Sequence, residues 1–146
     1  MKAAFLAVLL ALPAAAGSSA KIPASDVVEP QALAARLAEK SKPAPLLLHV
    51  GFSPLYKVGH IRGSEYFGPG SKPEALAALR RRLAKVPRDR EIVLYCGCCP
   101  WVHCPNIEPA FAAVRAMGFK NVKALHLERS FGQDWTEAGL PVVKGA

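Results

Sequence analysis

The sequence predicts one α/β domain, a mainly parallel sheet with helices on both faces, behind a removable leader. Three observations carry that expectation. Leu46–Val50 and Ile92–Tyr95 are short runs of strand length that are apolar at nearly every position, as in strands buried on both faces. Segments with helical apolar spacing alternate with such runs, and that alternation favours a parallel sheet. Of 146 residues, 51% are hydrophobic and 21% charged, a globular balance that can bury a core without disulfide staples.

The elements follow in order. Lys2, the apolar run Ala3 to Leu12, Pro13, and small residues at Ala14–Ala16 or Ser18–Ala20 make residues 1–20 a signal peptide. The run is shorter than the roughly 20 residues of a permanent span, and no later segment is long enough either. The expectation is an exported protein, periplasmic in a Gram-negative source and otherwise secreted. Its mature domain covers 21–146, with no membrane span. Lys21 to Ser25 reads as a loosely held start. Pro30 suits the first turn of a helix running to Lys40, with Ala32, Leu33, Leu37 and Ala38 on its apolar side. Pro43 and Pro45 stop that helix before the strand at Leu46.

Gly51 to Gly63 reads as loop, and Ser64 to Phe67 as a short strand. Ser71 is a candidate cap for a helix with Pro73 and Glu74 in its first turn and Leu76, Leu79 and Leu83 as its stripe. Pro87 closes it. Ile92–Tyr95 is the clearest strand and runs straight into Cys96. Asn106 is a candidate cap for a helix through Phe111, Val114 and Met117, ending at Gly118. Asn121–Leu127 reads as a strand, Trp135–Ala138 as a helical turn, and Leu140–Val143 as a closing extended piece.

The formal charge is +8, and much of the excess sits in Arg80, Arg81, Arg82, Lys85, Arg88 and Arg90. Basic side chains at a helix end complement its dipole. The cluster reads as a solvated helix end, with no nucleic-acid partner expected.

All four cysteines lie between Cys96 and Cys104, in Cys96-Gly97-Cys98-Cys99-Pro100-Trp101-Val102-His103-Cys104-Pro105-Asn106. Ligands of open α/β sheets bind beyond the carboxyl ends of strands, where this loop should fall. Three chemistries fit it. A thiolate nucleophile at Cys96 would draw on the following helix N-terminus and on His103, both of which lower a thiol's pKa. A soft metal, copper or zinc, would suit Cys98, Cys99, His103 and Cys104, although the spacing is no standard zinc pattern. An oxidising compartment would permit one disulfide, such as Cys99–Cys104 or Cys96–Cys104, but not a relaxed one between the adjacent Cys98 and Cys99.

From about Val27 to Val143 the chain resembles the rhodanese-like domain family. The landmarks are the apolar strand Leu46–Val50, Gly59-His60-Ile61-Arg62-Gly63-Ser64, the strand Ile92–Tyr95 delivering Cys96, Met117-Gly118-Phe119-Lys120-Asn121-Val122, and Trp135-Thr136-Glu137-Ala138-Gly139-Leu140-Pro141-Val142. The resemblance implies a five-stranded, mostly parallel sheet. It implies that Cys96 takes a sulfane sulfur as a persulfide and passes it to a thiophilic acceptor, without metal or organic cofactor. Gly97, Cys98, Cys99, Trp101, His103, Cys104 and Asn106 would form the surrounding active-site loop.

The departures from the family are chemical. No Arg or Lys lies between Cys96 and Asn106, so the usual anion clamp is missing and thiosulfate becomes a poor donor. His49 and Gly51 stand where the family has an Asp and an Arg. Glu128–Gly132 replaces a Gly-Gly segment, and its Arg129 reads as a surface residue. The expected function is sulfur transfer or thiol redox at Cys96, on a small sulfur donor or thiol. The alternatives are a soft-metal binding protein using the same loop, or a silent rhodanese-like interaction domain. His60 and Trp135 read as structural, and His126 as a strand-end residue without a role.

Overall fold

The computed structural model describes residues 21–145. The expected signal peptide at 1–20 lies outside them. No helix among the described residues is long and apolar enough to cross a membrane.

The strands are β1 (Val27–Val28), β2 (Leu46–His49), β3 (Glu65–Tyr66), β4 (Ile92–Tyr95) and β5 (Val122–Leu125). They form a five-stranded sheet in the order β1-β5-β4-β2-β3, and every pairing is parallel. The helices are α1 (Pro30–Ala38), α2 (Ser53–Val58), α3 (Pro73–Leu83) and α4 (Ile107–Ala116). Alternation along β4 sorts the core into two layers. Ile92, Leu94 and Cys96 share one face with Leu79, Leu83, Ile107 and Val114 of α3 and α4. Val93 and Tyr95 face Leu33 of α1, Phe131 and Trp135. All four residues of β4 are buried, which explains why the strand reads as continuous apolar sequence.

Two elements escape the sequence pattern. β1 is two residues long, too short for any periodicity, and is held by parallel pairing to β5. α2 has six residues, none buried, so it carries no apolar stripe. Lys21 to Ser25 is also less loose than expected, because Ile22 packs on the core and a short turn forms at Ala24–Asp26. The closing piece pairs across the chain through an antiparallel bridge between His60 and Val143.

The expected caps differ in detail. α3 starts at Pro73 after Lys72, and neither Ser71 nor Asn106 makes a side-chain cap bond. Trp135 is fully buried in a wide helical turn at Gly132–Thr136, its Nε1 donating to the Pro141 carbonyl at 2.8 Å. Three of the six basic residues are engaged within the fold: Arg82 pairs with Glu65 at 2.7 Å, Arg88 lies 4.5 Å over the Phe119 ring, and Arg90 donates to the Ala44 carbonyl, while Arg80, Arg81 and Lys85 are exposed.

Candidate active site

β4 ends at Tyr95, and the backbone turns at once. Gly97 has φ +73°, in the left-handed region that favours glycine. A side chain there would also strike Phe131, whose amide donates to the Gly97 carbonyl at 3.2 Å. The loop then passes Cys98 and Cys99, makes a short turn at Trp101–His103, and enters α4. It is tied to the 128–131 segment by the Trp101 amide, which donates to the Glu128 carbonyl.

The sulfurs converge. Cys96 Sγ lies 3.2 Å from Cys98 Sγ, and Cys98 Sγ lies 3.1 Å from Cys99 Sγ. The Sγ atoms of Cys96, Cys98 and Cys104 all lie within 4.8 Å of one another. Asn106 is fully buried, and its side chain meets two of these sulfurs. Its Nδ2 donates to Cys96 Sγ at 3.4 Å and lies 3.6 Å from Cys98 Sγ, while its Oδ1 accepts the Ser71 amide at 3.1 Å. Asn106 thus starts α4 as expected, but its side chain serves the sulfurs instead of capping the helix.

The sequence-predicted residues divide into two groups. Cys96, Cys98, Cys104 and Asn106 form the centre. Cys99 is displaced toward the rim, its Sγ donating to the His103 carbonyl at 3.6 Å. His103 is exposed, and only its carbonyl meets a thiol. The four groups Cys98, Cys99, His103 and Cys104 therefore do not assemble into one ligand set. Trp101 is half-buried and packs edge-on against His126, with ring centroids 5.1 Å apart. His126 sits at the end of β5 between Glu29 and Glu128, at 2.8 and 3.0 Å. Arg129 is tied to Asp134 at 3.1 Å and supplies no free charge to the loop.

The environment at the start of α4 favours ionisation of Cys104 over that of Cys96. Cys104 lies next to the start of α4, where the neighbouring Cys96 thiol and then the backbone amides of Asn106 and Ile107 favour its thiolate and lower its pKa to about 6 against the opposing effect of burial. Cys96 is only 3% exposed, and its bond to Cys104 and then its burial push its pKa far above the usual thiol range. Burial first, then contact with Cys98, pushes Cys99 up to about 12. Cys104 is thus the more readily ionised of the two sulfurs.

Three contributors were missed by sequence reasoning. His49 lies beneath Cys96 among the rings of Tyr56, Tyr66 and Tyr95, with its Nδ1 accepting the Gly51 amide at 3.3 Å. Burial, and then the charge of His60, pull its pKa down to about 4, so it is neutral at physiological pH. Gly51 leaves room above Cys96, because a Cβ there would lie 2.9 Å from the sulfur. Lys144 lines the groove that opens beside Cys96. The positions of His49 and Gly51 were visible as departures from the family, but their contact with the nucleophile position was not.

The fold and this strand-end loop define a rhodanese-like protein. Residues 29–127 match the Rhodanese-like domain model, and the chain belongs to that family. The rhodanese-like domain of the Alr3790 protein from Anabaena sp. is 21% identical, with TM-score 0.58 over 82% of this chain and 79% of that one. The thiosulfate sulfurtransferase from Pseudomonas aeruginosa is 27% identical, with TM-score 0.60 over 82% of this chain but only 19% of that one. A persulfide form of EanB with ergothioneine is 21% identical, with TM-score 0.59 over 81% of this chain and 28% of that one. No curated protein matches the chain by sequence.

Proposed function

We propose that the chain is an exported rhodanese-like protein that performs sulfur transfer or thiol redox through a persulfide on Cys96. The observation that carries this reading is the convergence of the Cys96, Cys98 and Cys104 sulfurs at the end of β4. Cys104 takes the proton from Cys96 as Cys96 attacks the outer sulfur of a donor. The departing donor thiolate then recovers that proton from Cys104. Asn106 and the first amides of α4 stabilise the anionic sulfur. The cysteine persulfide of EanB and the sulfur transfer of the Pseudomonas aeruginosa thiosulfate sulfurtransferase support the reaction class. The loop itself lacks a cationic clamp, leaving Lys144 as the single Lys or Arg among the described residues that line the groove, so a singly charged persulfide is the better donor and thiosulfate the poorer one. Export rests on the pattern at residues 1–20, and an N-terminal mass of the mature protein beginning near residue 21 is the check.

Sulfide release from glutathione persulfide under anaerobic conditions tests the reading. The wild type is expected to release sulfide, and Cys96→Ser to lose that release. A wild type no faster than Cys96→Ser removes it. Stoichiometric copper or zinc in anaerobically purified protein, lost on Cys98→Ser, would instead favour a soft-metal carrier built on the same loop.

A further inference from the structure

Two separate openings reach the sulfur cluster. A groove of about 420 Å³ has Cys96, Cys98 and His49 among its lining residues, with Leu55, Val58 and Phe131 along its walls. A cleft of about 340 Å³ on another side is lined by Cys104, Lys21, Ile22, Trp101, Val102 and Ile107. The Cys96 and Cys104 sulfurs lie close together; Cys96 lines the groove, Cys104 lines the cleft, and both line a small cavity between them.

We infer that Cys104 is the resolving thiol of the site: it discharges the Cys96 persulfide into a Cys96–Cys104 disulfide, which a dithiol reductant reaches through the Trp101 cleft. The inference rests on the persulfide reading above and selects one of the three neighbouring thiols. Cys98 is nearer to Cys96, but a Cys-x-Cys bond would close a small ring through Gly97, whose turn is already fixed by Phe131. Cys99 is turned to the rim. Cys104 approaches from across the loop, its Sγ within 4.8 Å of Cys96 Sγ, and it lines the Trp101 cleft through which a reductant would enter.

The step balances. The Cys96 persulfide takes a proton from solvent; the Cys104 thiolate then attacks its Sγ, the Cys96–Cys104 bond forms, the bond to the outer sulfur breaks, and hydrosulfide leaves carrying that proton. The sulfane sulfur is reduced to sulfide as the two thiols are oxidised to the disulfide. An external dithiol restores both thiols and becomes a disulfide itself.

The test combines two measurements on the mature full-length protein. In the first, anaerobic protein is given one equivalent of glutathione persulfide and weighed intact. Wild type, Cys98→Ser and Cys99→Ser are expected to release sulfide and end two hydrogens lighter, whereas Cys104→Ser retains one extra sulfur on Cys96 and releases at least tenfold less sulfide. Release from Cys104→Ser at the wild-type rate, or retention of the extra sulfur by Cys98→Ser, overturns the assignment. In the second, wild type is oxidised with diamide and its disulfide mapped. A Cys96–Cys104 bond supports the resolving pair, and a Cys96–Cys98 or Cys98–Cys104 bond overturns it. Absence of sulfur uptake by every variant alongside a Cys96–Cys104 bond would sink the persulfide reading while leaving the redox pair standing.

Discussion

Cys96 and Cys104 close the two ends of one loop, and they are opposites. Cys96 follows a fully buried strand, has its pKa pushed up, and lines a mostly apolar groove. Cys104 precedes a helix, accepts backbone amides, and opens to a separate cleft. The contrast teaches that charge in a thiol cluster follows the backbone donors. Arrival at a strand end gives position, whereas amides at a helix start give ionisation.

Gly97→Ala should be the most damaging change. It forces a Cβ onto a left-handed residue and into Phe131, so thermal or urea unfolding should show a loss of about 3 kcal/mol or more. A near-neutral result would mean that the Cys96 end is not held as described.

His49 gives the Cys96 end a pH signature. Its folded pKa is depressed to about 4, so the unfolded chain binds the proton first as the solution is acidified. Its contribution is complete above about pH 6.5 and is lost as pH falls toward 4, up to about 3 kcal/mol in total. Urea titrations across that window should show the slope in wild type and a flatter profile in His49→Leu.

Cys96→Ala removes the donor that holds Cys104 down. The alkylation midpoint of Cys104 should rise from about 6 toward the ordinary thiol range. At pH 6 iodoacetamide should then react roughly tenfold more slowly, because the lost thiolate fraction outweighs the gain in intrinsic nucleophilicity. An unchanged midpoint would show that the helix amides act alone.

Asn106→Leu orphans the Ser71 amide and removes the bond to Cys96, a loss of about 1–3 kcal/mol measurable by unfolding. Arg129→Ala should be the mildest, within about 0.5 kcal/mol and without effect on sulfide release, because its guanidinium is exposed and paired with Asp134.

The fold was legible where elements are long and buried. β2, β4, α1, α3 and α4 announce themselves because each presents a repeating apolar face. β1 and α2 do not, since two residues of pairing and a six-residue exposed helix leave no periodic trace. The site was legible as a place, because four cysteines in one loop at a strand end are a concentrated signal. Its internal order was not. His103 and Cys104 are neighbours in sequence, yet one faces solvent and the other the helix amides, and only the turn at Trp101–His103 decides that. Asn106 misled for a similar reason: its residue type suits a cap, but the buried sulfurs and the Ser71 amide claim its side chain.

The most direct measurement is site-resolved tandem mass spectrometry of anaerobic Cys104→Ser protein after one equivalent of glutathione persulfide. The account predicts a single extra sulfur on Cys96. Sulfur found only on Cys98 or Cys99, with Cys96 unmodified, would contradict it.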